Sequence, residues 1–431
     1  MNFYKLLSTS VFLLIAISSY AQRIVPAPVQ DSAIVLLGGT AHLGNGEVIE
    51  NSAIGFENGK ITFVADATVI RFDRTKVKII DCGGKQIYPG IIAANTILGL
   101  QEIEAARATL DYYEIGEYNP SIRSLIAYNA DSKVIPTIRS NGVLLSQVVP
   151  MGGVISGTSS IMQLDAWNWE DAEVKTDDGM HLNWPSYFSF QFTEGGVGSV
   201  AVSDKYDEQV MQIRNYFNEA KSWLAQPNHS ETNIQFDAMK GVFDGSKTLF
   251  IHCDYVKEIL NAVQFANDFK CHLVIVGGCD SYLCTDVLKQ NNVAVILGAP
   301  HSLPGNDDAD VDQPYKTAYE LNKAGVLYCL SLYGSWQQRN LMFMAGTTAA
   351  YGLTPEQALM SITSNTAKIL NLPNYGTLEE GKQANIIISD GDILDMKTQK
   401  VIMAFIDGRM IDLDNSQKEM FEIYKDKYDI K

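Results

Sequence analysis

The stretch from Ile87 to Leu100, I-Y-P-G-I-I-A-A-N-T-I-L-G-L, decides how this chain is read. Tyr88-Pro89-Gly90 reads as a turn. Residues 91–94 are a short apolar run, predicted as a strand buried on both faces and ending at Asn95, Thr96 and Ile97. Runs of the same type recur at 249–253, 272–276, 293–297 and 326–330. Helical patterns separate them at 254–269, 282–290 and 313–324, and two more helices are predicted at 339–351 and 354–370. Thr354-Pro355-Glu356-Gln357 is a helix start, with Thr as cap, Pro in the first turn and Gln three residues on. Strands alternating with helices predict an α/β fold around a parallel sheet.

Between the first strand and residue 249 the pattern is less regular. Residues 101–110 are predicted helical, and 111–118 (DYYEIGEY) form an acidic-aromatic loop. Strands are predicted at 142–149, ending in Pro150, and at 154–164. Residues 167–194 are rich in Trp, Asp and Gly without clean periodicity, which predicts a long loop; in a barrel it would lie over the mouth. Residues 204–225 place Val210, Ile213, Phe217, Ala220 and Leu224 on one helical stripe.

Upstream, residues 32–81 are β-rich, and Asn58-Gly59 between two β-type runs predicts a hairpin. Downstream, residues 376–392 read G-T-L-E-E-G-K-Q-A-N-I-I-I-S-D-G-D, and 401–409 read V-I-M-A-F-I-D-G-R.

Two of these stretches together resemble the amidohydrolase superfamily, in its imidazolonepropionase-like, metal-dependent hydrolase lineage. The family's first barrel strand reads Pro-Gly-x-Ile-Asp-x-His-x-His, and Pro89, Gly90, Ile92, Leu98 and Gly99 keep its framework. The tail resembles the closing signature G-x-L-x-x-G-K-x-A-D followed by apolar residues, with Asn385 where the family commonly carries Asp. The resemblance spans about residues 32–412. It implies a TIM (β/α)8 barrel plus a small composite β-sandwich domain built from both chain ends. The implied organisation is a signal peptide at 1–21, a linker at 22–30 and β-domain at 31–90. The barrel follows at 91–370, then the rest of the β-domain at 371–415 and a polar, helical tail at 416–431.

The same resemblance implies metal-ion catalysis, in which a divalent metal lowers the pKa of bound water. The family needs two His on the first strand, a His at the ends of strands five and six, and an Asp after strand eight. Those positions hold Asn95, Ile97, His252, Gly277 and Tyr333 here, with Ala93 at the family's first-strand Asp. One of the five expected ligands is retained, so the metal site is expected to be degenerate. His252, Asp254, Asp280, His301 and Tyr333 are the candidate mouth residues, and His181 is expected in the mouth loop. His42 falls in the β-domain, His229 in a polar loop, and His272 at the bottom of the barrel. No cofactor is expected; zinc is the metal if one binds. No G-x-S-x-G elbow, phosphate loop or H-E-x-x-H motif is present.

Three functions follow from this resemblance, one of them a purely structural subunit in an amidohydrolase assembly. The first is a non-catalytic protein that binds a small-molecule ligand, pairs with a catalytic homologue, or self-associates. The alternative is an active hydrolase of carbon-nitrogen bonds with an altered metal site around His252. The chain has 431 residues, 46% hydrophobic and 19% charged, with a net charge of −17. That acidity argues against nucleic acid as a partner. Lys5, the apolar run 6–17 and Ser19-Tyr20-Ala21 form a secretory signal pattern, which predicts a periplasmic or secreted protein with no membrane span after cleavage. The six cysteines form no disulfide framework and are expected as free thiols.

Overall fold

A computed structural model describes residues 25–192, 198–226, 228, 231–305 and 308–430. The signal pattern at 1–21 and His229 lie outside the described residues. Eight strands form one sheet: β1 (Ile91–Thr96), β2 (Val143–Val148), β3 (Ile155–Gln163), β4 (Glu173–Asn183), β5 (Thr248–Cys253), β6 (Leu273–Gly277), β7 (Ala294–Leu297) and β8 (Tyr328–Leu330). The sheet runs in chain order from β1 to β8, and a parallel bridge between Ala94 and Ser331 brings its edges together as a barrel.

One strand departs from the parallel expectation. β3 runs antiparallel to both β2 and β4, whereas the other neighbouring pairs are parallel. The cause is the connection at 149–154, which is too short for a parallel crossover of a dozen or more residues.

Strand alternation sorts the side chains into two sets. Ile91, Ala93, Leu144, Ile251, Ile275 and Val295 belong to the layer packed against the outer helices. Ile92, Ala94, Leu145, Ile161, Phe250, Val274, Val276 and Ile296 fill the barrel. Ala367, Ile369, Leu370 and Leu372 join that inner set and close the N-terminal end.

The chain ends build two further sheets. One has four strands, ordered Lys60–Asp66, Ser52–Glu57, Ile34–Leu37 and Lys78–Asp81. The other has six: Arg409–Met410, Val401–Ile406, Ile386–Ser389, Gln86–Pro89, Thr40–His42 and Val48–Ile49. Their faces share a core that includes Leu36, Ile54, Phe56, Ile87, Ile386 and Phe405. The predicted hairpin forms, with Asn58 at φ 52° and Gly59 at φ 78°, the two positive values a type I′ turn requires.

Several sequence expectations need correction. Tyr88 and Pro89 are not a turn but the end of a β-domain strand, which passes through Gly90 directly into β1. Residues 101–110 form no helix beyond one short turn at Arg107–Thr109. Ile103 is exposed, so the segment has no buried apolar stripe to hold a helix. The helix expected at 354–370 is two, Pro355–Met360 and Ser364–Ile369. At the break, the Ser361 and Ile362 carbonyls accept from the N–H groups of Leu330 and Ile92, both at 3.0 Å. Residues 167–194 are not one loop: they hold the helix Trp169–Ala172 and strand β4. The Thr354 capping box forms as expected, and all six cysteines are free.

Candidate functional site: the barrel centre and mouth

The C-terminal ends of the seven parallel strands define the mouth. Asn95, His252, Gly277, His301 and Tyr333 all come from that end, on β1, on β5, on β6 and on the segments following β7 and β8.

Asn95 takes a left-handed backbone, φ 53°, and its N–H donates to Gln147 Oε1 at 3.0 Å. Ile97 follows β1 at the same end and is buried within the large apolar cluster. Gly277 has φ 96°, which lets the chain turn sharply after β6. Tyr333 is 68% exposed. His301 is exposed, and its Nε2 lies 2.8 Å from Thr347 Oγ1 on the helix Leu341–Ala350. His272 lies at the other end of the barrel, 3.3 Å from Thr248 Oγ1. His42 stacks on Tyr88 in the β-domain and bonds to Glu356.

His181 is the residue the sequence misplaced. It is not in a mouth loop but on β4, fully buried, with its ring stacked on Phe250 at 4.7 Å. Its Nδ1 lies 2.9 Å from His252 Nε2, and its Nε2 lies 2.9 Å from Ser159 Oγ. Ser159 Oγ donates to Asp178 Oδ1 at 2.7 Å. Gln147 Nε2 donates to Asp178 Oδ2 at 2.9 Å. Strands β2 to β5 thus contribute Gln147, Ser159, Asp178, His181 and His252 to one continuous hydrogen-bonded chain inside the barrel.

Burial sets the charge states in that chain. It pushes the fully buried Asp178 carboxyl up to about 6, opposed by the bonds from Ser159 and Gln147 and by the Lys175 charge. It pushes His252 down to about 4. His181 falls well below the usual histidine range, through burial and then through His252 beside it. Both imidazoles are therefore neutral near pH 7.

Asp254 and Asp280 lie together beyond β5 and β6. The Asp280 N–H donates to the Asp254 carbonyl at 2.9 Å, and Asp280 Oδ2 accepts from the Val256 N–H at 3.2 Å. Among the described residues, no group of three or more His, Cys, Asp or Glu is arranged to hold a metal ion.

The barrel, the composite β-domain and the framework motifs define a class, the amidohydrolase-type TIM barrels. Comparison with known proteins agrees. The amidohydrolase family profile matches residues 316–411. An imidazolonepropionase of Bacillus cereus is 23% identical over 371 residues, covering 80% of this chain and 84% of that protein. A Bacillus anthracis imidazolonepropionase shows the same 23% identity over the same share of each chain. Among solved structures, an amidohydrolase from Thermotoga maritima is similar with a TM-score of 0.75 at 23% identity, covering 88% of this chain and 99% of that one. This chain belongs to the amidohydrolase superfamily.

Proposed function

We propose that this protein binds a small molecule at its barrel mouth and does not perform metal-dependent hydrolysis. One observation carries the reading: the chain from Gln147 through Asp178, Ser159 and His181 to His252. His252 Nε2 is engaged with His181 Nδ1 at 2.9 Å. Asn95 is a poor zinc ligand, and Ile97 and Gly277 are none. This donor set does not fit a zinc centre, which needs about three protein ligands plus water when catalytic. The eighth-strand position, Tyr333, supplies no carboxylate to accept a proton.

A second reading has its own support. The imidazolonepropionases similar to this chain, and two adjacent imidazoles at the barrel centre, favour a carbon-nitrogen hydrolase with an altered metal site around His252. The deciding experiment is elemental analysis of protein purified without chelators, beside an amide-hydrolysis assay with and without added zinc. The expected result is well under one equivalent of zinc and no turnover. Near one equivalent, lost on His252→Ala together with hydrolysis, would overturn the proposal.

The reading includes export to the periplasm or the outside of the cell, supported by the signal pattern at 1–21. Mass spectrometry of envelope protein should find a mature N-terminus at Gln22; an intact Met1 would refute export. It also includes pairing with a catalytic homologue or with a second copy, which co-purification from the native source tests.

A further inference from the structure

Beside the barrel axis, the ends of β6, β7 and β8 and the segment after β7 enclose a cavity of about 250 Å³. That is just below the range for drug-sized ligand sites, ~300–1,000 Å³, and suits a compact ligand. Leu297, Ala299, Pro300, Leu303, Pro314 and Leu330 make most of its wall apolar. No lysine, arginine or histidine is among the described residues that line it, whereas Asp254 and Asp280 both do.

The carboxylates here have different commitments. Glu258 is buried behind the cavity and accepts from the N–H groups of Tyr187, Asp254 and Tyr255 at 2.7, 3.1 and 3.3 Å. Asp280 is buried and accepts from the Val256 N–H. Asp254 is exposed and lines the cavity. Its side chain accepts one long bond, 3.4 Å from the Cys279 N–H to Oδ1, and among the described residues Oδ2 has no partner. Gly277 makes room for that carboxylate: a Cβ there would stand 2.6 Å from Asp254 Oδ1. Although the residue is partly open to solvent, desolvation of its carboxyl against the cavity wall raises Asp254, and nearby Glu258 and Asp280 add to the rise. A cation in the cavity would relieve that crowding of negative charge.

We propose that this cavity binds a small organic cation, an ammonium group on a compact apolar body. The ammonium pairs with Asp254, and the body packs among Leu297, Pro300, Leu303 and Leu330. An anionic ligand of the same size meets two carboxylates and no base. The proposal rests on the ligand-binding reading above and gives that ligand a chemical class.

The test uses three probes of one shape: cyclohexylamine, cyclohexanol and cyclohexanecarboxylate, titrated into the full chain and followed by ligand-observed NMR. Cyclohexylamine should bind at least tenfold more tightly than the alcohol, and the carboxylate should not bind. Asp254→Asn should abolish the preference for the amine while leaving the alcohol's affinity unchanged. Gly298 supplies a second variant, because a Cβ there meets nothing within 4 Å and the residue lines the cavity. Gly298→Leu should block all three probes without lowering the melting temperature. Equal binding of amine and alcohol, or a preference surviving Asp254→Asn, would overturn the cation assignment and leave a mouth that binds neutral ligands. Probe binding unchanged in Gly298→Leu, or no binding at all, would overturn the cavity as the site. Zinc-dependent hydrolysis would instead remove the reading beneath it, whichever probe binds.

Discussion

His181 Nδ1 and His252 Nε2 face each other at 2.9 Å across the β4–β5 boundary, a gap that holds a single hydrogen. Protonating both rings would place two N–H groups head to head in a buried site, so the pair resists acid. The unfolded chain takes up these protons near pH 6.5, whereas folded His252 does so near 4. Where the unfolded state binds more protons, stability rises with pH. The stability these groups contribute is therefore full above about pH 6.5 and lost as pH falls toward 4. Asp178, raised from 3.8 to about 6, acts in the opposite sense between those values. Two imidazoles should outweigh one carboxyl. The urea midpoint should fall between pH 6.5 and 4, and more shallowly in His252→Gln. A midpoint that rises as pH falls over that window would contradict this assignment of charge states.

Ser159 joins the acidic and basic halves of the buried chain. Removing its hydroxyl leaves Asp178 Oδ1 and His181 Nε2 each short of a partner in a buried site. An unsatisfied buried polar group costs about 1–3 kcal/mol. Ser159→Ala should lower unfolding free energy by roughly that amount. An unchanged urea midpoint would show that the chain contributes nothing to stability.

Asp165 is almost fully buried and serves two arginines. Its Oδ1 accepts from Arg139 at 2.6 Å, and its Oδ2 accepts from Arg409 and from the Ala27 N–H, both at 2.9 Å. Asp165→Ala strands Arg139, itself buried, without its counter-charge. Breaking a buried pair from one side costs about 3–5 kcal/mol. Chemical denaturation should show a loss of that order, and Asp165→Asn a smaller one.

Gly277→Ala combines strain with collision. The position needs φ 96°, and the new Cβ would meet Asp254 Oδ1 at 2.6 Å. A non-glycine residue in such a conformation costs about 1–3 kcal/mol. The melting temperature should fall, and cyclohexylamine binding should weaken with it as the Asp254 carboxylate is displaced.

The outer frame of this molecule was legible because its strands are buried on both faces. Apolar runs at 249–253, 272–276 and 293–297 leave little room for another reading, and Asn58-Gly59 fixes its hairpin by backbone chemistry alone. The barrel centre was not legible for the converse reason. β4 carries Asp178 and His181 on a face that meets other polar groups, so its sequence lacks the apolar pattern that marks a strand. The reversal of β3 did leave a signal: six residues at 149–154 cannot carry a parallel crossover. The cavity beside Asp254 could not be read, because Gly277, Leu297 and Leu330 come from three strands whose ends meet only after folding.

That reversal also ties the molecule's two halves together. Because β3 points against its neighbours, Gln163 pairs with Leu145 at the start of β2, and Asp165 lies just beyond, where Ala27 and Arg409 reach it. The same strand carries Ser159 four residues before Gln163. A clipped terminus would be felt along one rigid ribbon at the polar centre. The barrel is therefore not a severable part: cutting away the ends to obtain a minimal fragment would loosen the strand that holds the buried histidines in register.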